Sequence, residues 1–485
     1  MTIMVPIALF SWPIVALFLF AYFPARRAVC LSYLLAWMFL PTIGYDIPGL
    51  PDYTKATAAS ISVLLATMVF HSGRLTALRF SPLDLSMIIW CACPFASSMT
   101  NGLGPYDGLS AVVENIIIWG LPYLIGRIYL KGLEDLRELA VLFFACGLIY
   151  VPLCVFEMRM SPQLNQWIYG FGGTGIAYKE LGSWGSRPYV FMANGLTLGM
   201  FMTVASLCGF WLWITGSVKK IRGYSAGKLV TILILTSLFC KNMGASSLML
   251  AGILSLAYTK YRRSSMAVWL LIAAAPMYML LRGGAGWSGE SIAEIAGSIY
   301  ERRGGSFQTR LENEDRLVEK AMVKPYFGWG RWGRSRVFND EGVDITLTDG
   351  LWVIALGTSG LVGLVSFTAA LLLPAIGFTR RYSAKAWLHP SIAPGGALAV
   401  LVTLYAIDCL FNAMLNPTYL LALGGLVTVV ERRAQVAVGP ARARTPRMQS
   451  RPKQFDVHAY PSESNFVSDG RWDLQDMKST VNKSR

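Results

Sequence analysis

Leu139–Phe156 reads LAVLFFACGLIYVPLCVF. It is a run without a single charge, closed by Glu138 on one side and Glu157 on the other. At 1.5 Å rise per residue such a run reaches nearly across the roughly 30 Å hydrocarbon layer of a bilayer. It is too long for an ordinary buried strand and carries no polar face for a surface helix. In hydrocarbon every backbone N–H and C=O must be satisfied within the segment, so a spanning run of this kind is a helix.

Similar runs recur from Met4 to Val430. Of the 485 residues, 54% are hydrophobic and 15% charged, and the mean hydropathy is +0.46. The chain is therefore expected to be all-α, a polytopic membrane helical bundle of about 12–13 transmembrane helices. The spans fall near 3–23, 28–45, 56–71, 84–100, 109–130, 138–157, 189–215, 229–244, 246–260, 265–281, 350–378, 391–411 and 418–430. The first run has no Lys or Arg before it and reads as a retained helix rather than a cleaved signal.

The net charge of +15 is explained by the positive-inside bias of short cytoplasmic loops rather than by nucleic acid. Arg26, Arg27, Arg74, Arg79, Lys131, Arg137, Lys219, Lys220, Arg222, Lys228, Lys260, Arg262, Arg263, Arg380, Arg381 and Lys385 fall at one end of the alternating spans. Outside the segment 282–349, only Lys55, Arg159, Lys179, Arg187 and Lys241 fall at the other. The first set is expected in the cytoplasm, with the N-terminus outside and the C-terminus inside. Two long segments, 158–188 and 282–349, are then external. Residues 431–485 are polar, rich in Arg, Pro and Ser and without periodicity, and read as a disordered basic cytoplasmic tail.

The external segment holds the most charged stretch of the bundle domain. Ser306–Gly330 reads SFQTRLENEDRLVEKAMVKPYFGWG. Thr309–Lys324 is expected to be one amphipathic helix with an apolar stripe of Leu311, Leu317, Val318, Ala321 and Met322, ended by Pro325.

Other signals are weaker. The eight cysteines sit mostly in apolar runs, and no Cys/His spacing suggests a metal. Gly170–Gly175 matches G-x-G-x-x-G but follows no strand, so a nucleotide site is not expected. His71, His389 and His458 show no paired spacing.

The order of motifs carries a resemblance. Arg310-Leu311 is followed by Lys324-Pro325-Tyr326-Phe327-Gly328-Trp329-Gly330, then Asp349-Gly350-Leu351-Trp352, then Gly357-Thr358-Ser359-Gly360-Leu361-Val362-Gly363. Upstream stand Pro122-Tyr123-Leu124-Ile125-Gly126-Arg127 and Arg187-Pro188. Over roughly residues 80–430 this resembles the O-antigen ligase/polymerase family. The resemblance implies a glycosyltransferase of the bacterial inner membrane with its site facing the periplasm, needing neither metal nor cofactor. It implies transfer of an oligosaccharide from undecaprenyl diphosphate to a glycan acceptor, beside a chain-length regulator and a flippase of the same pathway. Where the family often has His-Asn, this chain has Asp349-Gly350, a departure that favours a polymerase over an O-antigen ligase.

The residue chemistry agrees with that expectation. A departing diphosphate calls for fixed guanidinium groups, which donate in pairs and stay charged. Arg310 and Arg187 fit that role. Lys241 is a third cation, suited to substrate binding or to an interfacial lysine. Asp349 suits the base that accepts the acceptor's proton, or a helix N-cap. Glu114, Asp408 and Glu157 lie toward the same end of their spans; Glu114 and Asp408 suit substrate binding or pairing inside the bundle. Trp329 and Trp332 are expected to hold sugar rings, or to join an interfacial aromatic belt. A reading from another class, a secondary transporter or lipid-linked oligosaccharide flippase coupled through Glu114 and Asp408, also stays open.

Overall fold

In the computed structural model, residues 2–47, 51–172, 185–284, 286–287, 289, 301–331 and 333–436 are described. The protein is an all-α helical bundle of membrane character. The described helices are α1 (Met4–Tyr22), α2 (Ala25–Phe39), α3 (Lys55–Thr76), α4 (Leu85–Thr100), α5 (Pro105–Asn115), α6 (Leu121–Tyr129), α7 (Leu133–Met160) and α8 (Leu164–Tyr169). They continue with α9 (Gly195–Ile214), α10 (Ala226–Phe239), α11 (Met243–Arg262), α12 (Met266–Gly283), α13 (Glu301–Met322), α14 (Leu351–Arg381), α15 (Ala393–Phe411) and α16 (Pro417–Val436). A single π-helical turn, Ile116–Gly120, joins α5 to α6. Among the described residues the strands are two residues each, Lys220–Ile221 paired with Tyr224–Ser225.

Every expected span lands on a helix, and nine described segments are long and apolar enough to cross a membrane. The other four expected spans are helices that fall short of that measure. α2 and α10 have 15 and 14 residues. α11 carries Gly244, Ala245, Ser246 and Ser247 in its first turns, and α16 carries Glu431 and Arg432 in its last. The central helices are α9 and α15, whose apolar windows are 83% and 89% buried, against 33% for α1 and 28% for α12 at the rim.

Small residues let backbones touch, as they do where helices pack in lipid. α6 lies on α16 through Gly126 and Gly424: a side-chain carbon at either would run into the carbonyl of Leu421 or Tyr123. The same turn of α6 buries Arg127, 4% exposed, between Asp84 (2.8 Å) and Glu431 (2.7 Å), with Tyr123 donating to Asp84 at 2.6 Å.

The loops sort to two ends. One end joins Arg26 to Asp135 and Glu138, Arg137 to the Ser217 carbonyl, and Ser217 to that of Pro390. Most of the short-loop lysines and arginines are here, and we call it the basic end. The far end gathers Thr2 on Tyr169, Lys241 on Gly185, and Lys324 on Asn101.

Several boundaries differ from expectation, each for a polar reason. The helix expected from residue 189 begins at Gly195, because the Glu157 carboxylate takes the N–H groups of Tyr189 (2.9 Å) and Val190 (2.7 Å) and Asn194 caps α9. α2 ends at Phe39, short of 45, where Leu40 turns extended and Pro41 follows. The charged helix starts earlier, at Glu301, and stops at Met322. Met322 of the expected stripe is 43% exposed, whereas Asn313 and Glu314 are buried. α14 is interrupted at Gly360. Residues 431–436, placed in a disordered tail, continue α16; the rest of that tail lies outside the described residues, as do Trp332, 173–184 and 290–300.

Candidate functional site

Two of the motifs far apart in sequence lock together. Gly360 has φ 63° and ψ −164°, a conformation open almost only to glycine, and it breaks α14. A break frees backbone groups that must find partners. The Pro325–Gly330 turn supplies four of them. Leu361 N donates to Pro325 O at 2.7 Å and Val362 N to Tyr326 O at 3.2 Å. Trp329 N and Gly330 N donate to the carbonyls of Gly357 (2.9 Å) and Thr358 (3.0 Å). Gly328, at φ 69°, sits so close that a side-chain carbon there would stand 2.6 Å from the Gly357 oxygen. α4 closes the joint: Ser97 donates to Thr358 O (2.9 Å), Cys93 to Ser359 O (3.3 Å) and Asn101 to Gly328 O (2.8 Å).

The same segment is tied to α5. Arg334 meets Asp107 with both amines at 3.1 Å, and Arg331 donates to Ser110 at 2.5 Å. Glu114, one turn further along α5, is exposed, and no hydrogen bond or ion pair holds it among the described residues.

A buried polar hub docks α13. Glu314, 6% exposed, accepts from Tyr278 of α12 (2.8 Å), Trp352 of α14 (3.2 Å) and Arg282 (3.4 Å). Arg282, 4% exposed, also reaches Asp315 at 2.9 Å and the carbonyls of Leu311 (2.8 Å) and Trp287 (2.7 Å). Burial pushes the Glu314 carboxyl above its ordinary value, and the hydrogen bonds of Tyr278, Trp352 and Arg282 pull it partly back. Neither Arg282 nor Glu314 was picked out by the sequence reading. Arg282 closes an apolar run like many interfacial cations, and Glu314 is one charge among eight between Ser306 and Gly330.

One turn before Glu314, α13 carries Arg310. Its Nε stands 3.0 Å from Asp349 Oδ2, with the two side chains 33% and 42% exposed. The two residues chosen as cation and base are thus an ion pair. Asp349 is not the cap of α14: that position is Gly350, packed on the Leu410 carbonyl, and no side chain caps the helix, Thr348 included. The outer groups of the Arg310 guanidinium have no protein partner among the described residues. A pair this exposed adds at most about 1 kcal/mol to stability. Its position beside the first turn of α14 also favours an anion there.

The second predicted arginine, Arg187, packs against the start of α9. Gly195 leaves the space that the Arg187 stem fills, with Cδ 2.9 Å from where a side-chain carbon would be. Glu157, fully buried, is the anchor of this stretch rather than a substrate group: its other oxygen takes Leu164 N at 3.2 Å. Lys241 donates to the Gly185 carbonyl at 2.6 Å and has the positive φ of 55°. Asn242 beside it donates to Gly195 O and Leu196 O (3.2 and 3.3 Å), another residue the sequence reading passed over. Asn194 and Thr197 of this end reach the Met414 sulfur in the α15–α16 loop. Asp408, 6% exposed, is bonded to Asn412 at 2.7 Å at the end of α15.

The Trp329 ring is taken up within the protein. Lys320 and Lys324 stand 4.2 and 4.3 Å from its centroid, and its N–H donates to Lys320 O at 2.8 Å. Trp332 lies outside the described residues. Among the described residues no three His, Cys, Asp or Glu side chains converge as metal ligands.

Compared with models of known protein families the chain finds no match, and compared with curated proteins it finds none either. The site therefore rests on its own geometry.

Proposed function

We propose that the chain is a membrane glycosyltransferase of the O-antigen ligase/polymerase kind, which transfers an oligosaccharide from undecaprenyl diphosphate to a glycan acceptor at the periplasmic face of the bacterial inner membrane. Polymerisation of exopolysaccharide, capsule or O-antigen repeats is the favoured form, with O-antigen ligation as the alternative acceptor choice. The observation that carries the reading is the exposed Arg310–Asp349 pair at the far end of the bundle. In the resting state each group neutralises the other. An arriving diphosphate competes for the guanidinium, which donates better to two phosphate oxygens than to one carboxylate oxygen. Asp349 is then released to accept the proton of the attacking hydroxyl, while Arg310 stabilises the charge developing on the leaving diphosphate. Arg187, at the same end of the bundle, is the second cation for the carrier, with Lys241 and Asp408 as further substrate-binding groups. A chain-length regulator and a flippase of the same pathway are the partners proposed for it.

The transporter reading gains one observation, the broken helix at Gly360, since transporters place their sites at discontinuous helices. Here backbone groups at the break bond the Pro325–Gly330 turn and α4 instead, a use of the break in holding the fold together. That favours the enzyme.

The test is reconstitution of the full chain with a lipid diphosphate oligosaccharide, scored as a ladder of products on a gel. Arg310→Ala and Arg187→Ala are expected to abolish the ladder, and Asp349→Asn to slow it by roughly 100-fold or more, the usual worth of a general base. A normal ladder from Arg310→Ala would remove the mechanism. Products that accumulate only as single untransferred repeats across the membrane would point to the flippase instead.

A further inference from the structure

A groove opens between α4 and the α5–α6 helix near the basic end, with a volume of about 310 Å³. Its walls are apolar: Ile88 and Ala92 on α4 face Ile116 and Gly120 across it. The π-helical turn Ile116–Gly120 forms one wall, and such turns occur often at functional sites. Gly120 has no side chain to fill the hollow, whose floor there is the Cys91 sulfur. Three polar residues line the bottom, Asp84, Tyr123 and Arg127, and they bond to one another: Arg127 and Tyr123 both donate to Asp84, at 2.8 and 2.6 Å. Among these three residues one polar atom, the Arg127 Nε, has no partner, and the remaining wall is apolar, so hydrocarbon fits the groove better than a polar ligand.

The mouth is different. Between α3 and α4 the chain runs Leu78-Arg79-Phe80, with Leu78 and Phe80 lining the groove. Phe80 is 70% exposed, as is Leu85 (56%) beside it, so this side of the protein meets lipid rather than a neighbouring helix. Arg79 stands between the two apolar residues and is exposed. Its carbonyl is held by Arg127 at 3.1 Å, while its guanidinium has no protein partner among the described residues. The two carboxylates around Arg127 are held by it instead: Asp84, 2% exposed, at 2.8 Å and Glu431 at 2.7 Å.

We propose that this groove holds one acyl chain of an anionic glycerophospholipid, with the lipid's phosphate on the Arg79 guanidinium. Within a bilayer an apolar groove gains little by swapping one hydrocarbon for another, so shape and the charged end decide which lipid stays. An arginine beside an anionic membrane surface adds affinity for acidic headgroups over zwitterionic ones. The site lies at the end of the bundle opposite Arg310 and Asp349 and stands whether or not the chain transfers glycans.

Native mass spectrometry of the detergent-purified full chain tests it, with phosphatidylglycerol and phosphatidylcholine offered in separate titrations. The wild type is expected to retain one phosphatidylglycerol, with roughly fivefold preference over phosphatidylcholine, the worth of one basic side chain at such a surface. Arg79→Ala, at an exposed position, is expected to erase the preference while leaving retention of both lipids at the phosphatidylcholine level. Ala92→Phe fills the groove from its open side and is expected to lose both lipids; since Ala92 is exposed, helix content by circular dichroism should match the wild type. Equal retention of the two lipids by the wild type would overturn the proposal. So would an undiminished preference in Arg79→Ala, or full retention by a folded Ala92→Phe variant.

Discussion

Replacing Glu314 with Ala should loosen α13 from the bundle. The change strips Tyr278 and Trp352 of their buried acceptor and takes one of two carboxylates from Arg282. A buried donor left without a partner costs about 1–3 kcal/mol, and breaking a buried ion pair about 3–5 kcal/mol. These losses overlap rather than add. Arg282 keeps Asp315 and two carbonyls within 2.9 Å, which limits the damage to the losses at Tyr278, Trp352 and one side of the guanidinium. The expected loss is about 3–5 kcal/mol, read as the shift in the unfolding free energy of the detergent-purified protein. Faster proteolysis within Glu301–Met322 should accompany it. Glu314→Gln keeps the shape and one acceptor and should cost less.

The pH dependence has a definite sign. Burial raises the native Glu314 carboxyl above its ordinary value of 4.5, so the folded protein holds this proton more tightly than the unfolded chain. The stability this adds is complete below 4.5 and is lost as pH rises through the native value. Wild type should therefore lose stability relative to Glu314→Gln across that interval. An Ala variant within ~0.5 kcal/mol of wild type, the range of ordinary surface substitutions, would show that α13 is not held by this hub. The account of how Arg310 is aimed at Asp349 would then fail with it.

Other outcomes follow from the same structure. Gly360→Ala puts a side chain into the Tyr326 carbonyl at a backbone conformation reserved for glycine; it should cost at least ~1–3 kcal/mol and lower the amount of protein recovered from the membrane. Arg127→Met together with Asp84→Leu should be far milder than Arg127→Met alone, because the single change leaves a buried carboxylate whose main cation is gone, a penalty of about 3–5 kcal/mol; thermal unfolding of the two variants beside wild type checks this. Glu157→Leu removes the acceptor of three backbone N–H groups and should free the 185–190 segment, seen as cleavage by added protease near Arg187, while unchanged protection there would argue against the anchor. Arg310→Lys keeps a charge but loses the planar fork and should retain only a small part of any transfer activity in the reconstituted assay.

Much of this protein was legible along one dimension. Whether a run such as Leu139–Phe156 crosses a bilayer depends on its length and polarity, which are local properties, and so the helices fell where the apolar runs lie. The segregation of Lys and Arg into alternate loops likewise survives as one basic end. Boundaries went wrong where a distant polar group intervened: Glu157 holds residues 189 and 190 out of α9, and the turn at Pro325–Gly330 makes the break at Gly360 affordable in hydrogen bonds. The site shows the same division. Composition and order of motifs singled out Arg310 and Asp349 separately. Only the packing of α13 against the start of α14 made them a pair, and only burial distinguished Glu314 from the seven other charges between Ser306 and Gly330. Residue type and spacing set what a side chain is able to do, whereas its partners and its solvent depend on segments far away in the chain, which no local pattern encodes.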